Sequence, residues 1–226
     1  MYRIKKVLNH NTVIFVSDKN KEYMIMGKGV GFGRKVSERM EPGEGDTVYS
    51  LQDTTERGSA KELAASIPPV YLEIADEVLS EAEKIFGKID RNILFPMADH
   101  IEYAVKRIKN NEEIRNPLTE DIRVLFHMEF KAAQCIEKIL KDRMGIQIGE
   151  DEIGYIALHI HSAIEDEKVS QAMQTARTIR ECVSLVEKET GKNIDIMSLS
   201  YNRLMNHIRY MVARAISGEK YDQETH

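Results

Sequence analysis

Two patterns of hydrophobic positions divide the chain. In the first fifty residues, short segments rich in Val, Ile, Tyr and Thr alternate with turn residues, as is typical of β-strands. The predicted strands are Tyr2–Val7, Thr12–Val16, Glu22–Met26 and Thr47–Leu51. They would form a small antiparallel β-unit. Because so few strands bury little apolar area and leave exposed edges, we expect two copies to share one core in a dimer.

From Pro68 onward, apolar residues recur every three or four positions, which is the spacing of amphipathic helices. Prolines precede the first of these segments and Gly87 ends it, as at the two ends of many helices. The predicted helices span Pro68–Gly87, Ile93–Lys109, Thr119–Met144 and Glu150–Ile164. The fold class is therefore multidomain, with a small all-β domain followed by all-α helical bundles.

The helical pattern begins a second time. Residues 100–107 and 207–214 share H-I-x-Y-x-V-x-R at a separation of 107 positions, and each copy follows an amphipathic helix that ends in glycine. We infer tandem homologous domains. The predicted domains are a β-domain at 1–55, a linker at 56–66, a first helical domain at 67–168 and the N-terminal part of a second at 169–226. The last helix of the second copy would fall beyond residue 226.

Charge is distributed unevenly. The formal net charge is −5, but residues 1–39 hold nine Lys/Arg against three Asp/Glu, a balance of +6. A basic end on an acidic body indicates either a polyanion-binding surface or a chance cluster of solvated lysines. Because there is no membrane-length apolar run and no apolar core of a signal peptide at the N-terminus, we expect a cytoplasmic protein without membrane insertion.

Residues 27–35, with the sequence GKGVGFGRK, combine four glycines, three cations and Phe32. Glycines allow close approach of the backbone to a ligand, cations contact phosphates, and an aromatic ring stacks on an unpaired base. Neither the dinucleotide fingerprint nor the P-loop pattern is met. Taken alone, the segment is also typical of an ordinary glycine-rich hairpin loop.

Three groups of residues together resemble a known family. They are K-K-V-L-N-H-N at 5–11, M-G-K-G-V-G-F at 26–32, and the histidines His100, His159 and His207. Their order is similar, over essentially the whole chain, to the BglG/SacY/LicT antiterminators of bacteria, and most of all to the glucose-type members. The resemblance implies a dimeric β-domain, the CAT domain, that binds an RNA hairpin overlapping a terminator. Two phosphotransferase-system regulation domains (PRDs) would follow it.

The resemblance also implies individual roles. The positions that match RNA contacts of the family are Lys6, Asn11, Gly27, Lys28 and Phe32. His10 stands where many members have asparagine. Phosphorylation of PRD histidines by a sugar permease (enzyme II), with HPr as a second candidate donor, would control dimerisation. No enzymatic activity, cofactor or metal is implied.

The helical histidines are the candidate phosphorylation sites. His100 recurs as His207 in the second copy, and a repeat retains what its domain uses. His159 and His161 project about 200° apart on a helix, so only one of them is expected to be the working residue. The apolar stripe of the helix places His159 toward the polar side, where a phosphodonor would reach it. A neutral imidazole nitrogen is available near neutral pH to accept the phosphoryl group.

Two other functions stay open on the residues alone. His100, His159 and His161 could form the metal site of a hydrolase, although histidines two positions apart on a helix do not share a face. Alternatively, the helical domains could be a phosphosensor whose basic β-domain contacts protein or DNA instead of RNA.

Overall fold

The structure is a computed structural model that describes residues 2–55, 58–112, 114–165, 167–195 and 198–217. A β-sheet domain at the N-terminus packs on a helical domain, and the chain continues into two long helices. The predicted order of a β-sheet domain and a helical region is confirmed. Within the described ranges, no helix combines the length and the apolar character needed to cross a bilayer.

The sheet has five antiparallel strands in the order β4-β1-β2-β3-β5. They are β1 (Tyr2–Asn9), β2 (Thr12–Ser17), β3 (Glu22–Met26), β4 (Arg39–Met40) and β5 (Thr47–Ser50). The hydrophobic pattern predicts four of them. It misses β4 because alternation cannot be recognised in two residues.

Both faces of the sheet are covered by the chain itself. On one face, Ile4, Phe15 and Ile25 pack with Val30 from the long loop between β3 and β4. The other face contacts the helical domain through Ile14, Met24, Met26, Tyr49 and Leu51. The helical domain therefore supplies the second layer that a sheet of this size needs. The apolar area for which the sequence predicts a dimer is buried here within one chain, and the dimer stays a prediction.

A short hairpin and nine helices follow the sheet in the described residues. The hairpin is β6 (Thr54–Thr55) and β7 (Gly58–Ser59), and a 3₁₀ turn covers Arg91–Ile93. The helices are α1 (Ala60–Ser66), α2 (Pro69–Phe86), α3 (Leu94–Lys109), α4 (Thr119–Leu125), α5 (His127–Ala133), α6 (Cys135–Met144), α7 (Glu150–Glu165), α8 (Val169–Thr190) and α9 (Leu199–Ser217).

The prediction of a linker over residues 56–66 does not hold for Ala60–Ser66, which form the helix α1. Ser59 and Glu62 make a capping box, in which each side chain accepts a hydrogen bond from the backbone N–H of the other residue. Leu63 and Ala64 then bury the inner face of the helix. The Ser-x-x-Glu signal is present in the sequence, but it lies in a polar stretch without a long apolar stripe behind it.

The single helix predicted over Thr119–Met144 consists of α4, α5 and α6. Phe126 separates the first two because its backbone leaves the helical region, with φ −118° and ψ 48°. Its side chain is buried, and its ring centroid lies 4.3 Å from that of His161 on α7. Packing between helices thus interrupts a segment whose apolar spacing alone predicts continuity.

The helices α8 and α9 repeat the order of α2 and α3. Both α2 and α8 end at a glycine with positive φ, Gly87 at 76° and Gly191 at 65°, a conformation that costs glycine little. Around α8 and α9 a separate apolar cluster forms from Ile179, Val183, Tyr201, Met205 and Ile208. This arrangement supports the inferred repeat, while the domain boundaries remain a prediction.

Candidate nucleic-acid interface and histidine cavity

The glycine-rich loop is held against the turn between β1 and β2. The backbone carbonyl of Asn11 accepts from the Gly27 N–H at 3.0 Å, and its Oδ1 accepts from the Gly29 N–H at 2.9 Å. The Gly31 N–H donates to the carbonyl of His10 at 2.8 Å. The turn and the loop therefore form one unit at this end of the sheet.

Gly31 is required by close approach rather than by its backbone angles. A Cβ added at this position would lie 2.2 Å from the carbonyl oxygen of Asn9. The two backbones are in direct contact, so only glycine fits without a shift of the loop.

The predicted RNA-contact residues are divided between the loop, the turn and β1. Asn11, Gly27 and Lys28 line one cleft. Phe32 is 71% exposed, and its ring packs edge-on against His10 with centroids 5.4 Å apart. Lys6 is exposed on β1. The loop thus presents an exposed aromatic ring and a lysine that lines the cleft, which are groups suited to stack on an unpaired base and to contact a phosphate of looped RNA. The contacts themselves remain predictions.

Acidic side chains of α2 form the opposite wall of this cleft, whose volume is about 400 Å³. Asn9 Nδ2 donates to Glu73 Oε1 at 2.7 Å. Arg143 bridges Glu73 and Glu77, with N–O distances of 3.0 Å to each. A phosphate backbone entering at Lys28 would therefore also meet the carboxylates of the helical domain.

Arg91 joins the two domains through a polar network. Its Nη1 donates to the Tyr49 hydroxyl at 3.0 Å and to Asp76 Oδ1 at 2.8 Å, while Nε and Nη2 donate to Glu83 at 2.9 and 2.6 Å. The Tyr49 hydroxyl also donates to Asp76. Burial raises the pKa of the Asp76 carboxyl, against the opposing effects of Tyr49 and Arg91. The network fixes β5 to α2.

His100 and His159 line a single cavity of about 470 Å³ between α3 and α7. Their ring centroids are 5.6 Å apart, and the Tyr155 ring lies 5.3 Å from that of His100. The cavity has two further walls. Thr54 and Thr55 come from the hairpin that ends the β-domain, and Lys168 and Ser170 come from the start of α8. It therefore lies where the three predicted domains meet.

The expected exposure of His159 is wrong. Its residue surface is only 4% exposed, and that of His100 is 7% exposed. The helix that carries His159, α7, contacts α2, α3, α4, α5 and α8 and is covered on most sides. An apolar stripe identifies one buried face of a helix but does not exclude burial of the others. The two rings face the cavity instead of bulk solvent.

A carboxylate and an arginine hold His100. Its Nε2 lies 3.0 Å from Glu152 Oε2, and Arg107 donates to Glu152 Oε1 at 2.6 and 3.1 Å. Burial would raise the pKa of Glu152, but the bonds and charges of His100 and Arg107 outweigh it and hold this pKa below its usual value. The sequence carried a signal for Arg107, since it ends the repeated motif seven residues after His100, on the same helical face.

His161 lies on another side of α7. Its Nδ1 is 3.0 Å from Glu129 Oε1, and its Nε2 is 3.1 Å from Glu167 Oε2. This separation agrees with the helical geometry of an H-x-H pair. Among the described residues, no group of three histidines, cysteines or carboxylates is arranged to hold a metal ion. The hydrolase alternative, which needs His161 together with His100 and His159, is not favoured.

His207 differs from its counterpart. It occupies the motif position of His100 on α9, but it is exposed whereas His100 is buried. The repeat preserves the helix and its apolar contacts, since Ile208 is buried as Ile101 is. It does not reproduce the cavity around the histidine in the described part of the chain.

The lowered pKa of Glu152 predicts acid sensitivity. A carboxyl whose folded pKa lies below its unfolded value of about 4.5 stabilises the fold above that pH, and the contribution is lost as the pH falls through the folded pKa. We expect the midpoint of thermal unfolding to fall steeply below pH 4.5. The Glu152→Gln variant should be less stable at pH 7 and less dependent on pH between 5 and 3. Parallel curves for both proteins would contradict this assignment.

Comparisons with known proteins agree with this geometry. Residues 2–58 match the model of the CAT RNA binding domain, and residues 74–163 match that of the PRD domain. The GlcA/glcB genes antiterminator of Staphylococcus carnosus is 30% identical, over 96% of this chain and 77% of its own length. The chain belongs to the CAT–PRD family of transcription antiterminators.

A second relative and a solved structure support the assignment of this chain to the family. Transcription antiterminator LicT of Bacillus subtilis is 27% identical, over 98% of this chain and 80% of its own. The crystal structure of GlcT CAT-PRDI aligns with a TM-score of 0.62 at 30% identity, covering 73% of this chain and 98% of that one. The sheet and the first helical region of the antiterminator therefore have a solved counterpart.

Proposed function

We propose that this antiterminator acts in the cytoplasm as a homodimer that binds an RNA hairpin overlapping a terminator. Lys6, Asn11, Gly27, Lys28 and Phe32 make the RNA contacts. Phosphorylation of His100, His159 and His207 by the phosphotransferase system, through a sugar permease (enzyme II) and HPr, decides whether the dimer is competent. The observation that carries the proposal is the position of the histidine cavity, which is lined by the β-domain and both helical regions.

The covered face of the sheet supplies a mechanism for the dimer. Met24, Tyr49 and their neighbours are buried against the helical domain of the same chain. A dimer that shares a core through this face requires the helices to leave it, so docking and dimerisation exclude each other. Phosphorylation adds up to about two negative charges beside Glu152, which biases such an equilibrium.

The test of RNA binding is the Phe32→Ala variant of the full chain. Stacking of one base on an aromatic ring contributes about 1–3 kcal/mol, so affinity for the cognate hairpin should fall about 5-fold to 150-fold. Electrophoretic mobility shift or fluorescence anisotropy measures it, at several salt concentrations because phosphate contacts make binding salt-dependent.

Val36 offers a matched control, since it is 62% exposed on the same loop and is not a predicted contact. Val36→Ala should bind as the wild type does. Equal loss in both variants, or none in either, would refute the assigned RNA surface. Binding to duplex DNA of the same sequence with equal affinity would favour the DNA alternative.

A further inference from the structure

The histidine cavity is lined by a lysine and hydroxyl groups that could bind a phosphoryl group, in addition to the two histidines proposed to carry one. Lys168 and Ser170 line it from the start of α8, and Thr54 and Thr55 line it from β6. Lysine is a point-charge ligand for phosphate, and a hydroxyl can donate to its oxygens. The Thr55 hydroxyl already donates to the Gly58 carbonyl at 2.8 Å, so Thr54 is the candidate donor on β6. Neither Lys168 nor the two threonines belongs to the motifs that indicate the family.

The negative groups at the cavity are already engaged. Asp90 Oδ1 accepts from the Asn92 N–H at 3.0 Å, and Glu167 Oε2 lies 3.1 Å from His161 Nε2. Glu152, the partner of His100, is not part of the cavity lining and is also paired with Arg107. The side chain of Lys168 is exposed at the mouth of the cavity, where its charge is available to an anion inside.

The connection between α7 and α8 keeps Lys168 at this position. The Ser162 hydroxyl donates to the Glu167 carbonyl, and the Lys168 N–H donates to Gln171 Oε1 at 3.0 Å. Val169, the first residue of α8, also lines the cavity. The N-terminal end of a helix carries partial positive charge, which adds to that of the lysine.

We propose that Lys168, together with the Thr54 hydroxyl, forms a receptor for the phosphoryl group carried by His159 or His100. This inference rests on the proposed phosphorylation of these histidines. The receptor draws α8 and the end of the β-domain toward one phosphate, so that the modification is sensed at the junction of the three domains. A chain that carries the phosphate thus holds α8 and β6 more firmly than one without it.

The first test uses phosphoramidate, a chemical donor that needs no protein partner. A ring nitrogen attacks phosphorus, a new N–P bond forms, and ammonia leaves with the proton that the ring loses. The ³¹P NMR shift followed against pH gives the pKa of the bound phosphoryl group, and His100→Ala and His159→Ala assign the signals. We expect Lys168→Gln to raise this pKa by about 0.5–1 unit, because a nearby cation favours the dianion. Lys168→Arg should restore the wild-type value, and Lys109→Gln, an exposed lysine outside the cavity, should not change it.

The second test uses inorganic phosphate with the unmodified chain at constant ionic strength. The thermal midpoint of the wild type and of Lys168→Arg should rise with phosphate, and that of Lys168→Gln should not. If phosphate raises the thermal midpoint in a Lys168-dependent way but no phosphohistidine signal appears, the proposed receptor stands and the proposed phosphorylation of the histidines is refuted. Phosphohistidine signals with the same pKa in Lys168→Gln would retain the modification and overturn the receptor. A phosphate response lost equally in Lys109→Gln would also overturn it.

Discussion

Replacing Arg91 with alanine should lower the free energy of unfolding of the full chain by about 2–4 kcal/mol. The change removes the guanidinium that joins Tyr49, Asp76 and Glu83, and leaves the Asp76 carboxylate without its cation. Removing one partner of a buried ion pair costs more than the pair contributes, because the remaining charge stays desolvated. This expected loss is smaller than the 3–5 kcal/mol typical of a fully buried pair, because the Arg91 and Asp76 side chains keep 19% and 25% of their surface exposed. Urea denaturation followed by circular dichroism measures the loss.

Arg143→Ala is the matched control. Its guanidinium also bridges two carboxylates of α2, but its side chain is 37% exposed, and surface pairs contribute about 0–1 kcal/mol. A second variant, Arg91→Met with Asp76→Asn, removes both charges and should recover part of the stability. If Arg91→Ala and Arg143→Ala lose the same small amount, the network does not hold the β-domain to α2.

Replacing Gly31 with alanine should lower the affinity for the RNA hairpin by 100-fold or more. A loss of this size follows when two stacked or backbone contacts are displaced at about 1–3 kcal/mol each. The new methyl group would lie 2.2 Å from the Asn9 carbonyl, and backbone atoms cannot move aside as a flexible side chain can. The loop that carries Lys28 and Phe32 must therefore shift as a whole. We also expect a stability loss of about 1–3 kcal/mol from overpacking. Anisotropy with the cognate hairpin and thermal unfolding separate the two effects.

Two other glycines calibrate this result. In Gly29→Ala the new Cβ would meet open space, but the residue must keep a φ of 74°. We therefore expect a loss of only about 1 kcal/mol in the free energy of unfolding, from backbone strain. Gly149→Ala meets no atom within 4 Å, has no positive φ and lies outside the β-domain, so it should behave as the wild type. RNA binding by Gly31→Ala at wild-type affinity would show that the loop contributes nothing in this conformation.

Hydrophobic periodicity predicts most of the fold because elements with one apolar face carry their own signal. The ends of α2, at Pro69 and Phe86, follow from a proline and a glycine that act locally. The break at Phe126 depends instead on contacts with α7, which no local pattern contains. The helix α1 is missed for the opposite reason, since its capping box is local but its apolar stripe is too short to recognise.

The histidine cavity is only partly predictable. His100 is found by its recurrence as His207, which is an observation on the sequence itself. Glu152 and Lys168 are 52 and 68 residues away from His100 along the chain. Only the folded structure pairs Glu152 with His100 and brings Lys168 to the same cavity as His100. The accessibility of His159 could not be inferred from its own helix, because α7 is covered by five other helices from different parts of the sequence.

Asn9 uses both ends of its amide in different domains. Its Oδ1 accepts from the Asn11 N–H at 2.8 Å, beside the glycine-rich loop, while its Nδ2 donates to Glu73 on α2. The β-domain and the helical domain are therefore not interchangeable modules. A chimera that joins this β-domain to a relative's helical domain without a carboxylate at position 73 would lose this hydrogen bond at the domain boundary. Recombination between relatives keeps this contact only when positions 9 and 73 are exchanged together.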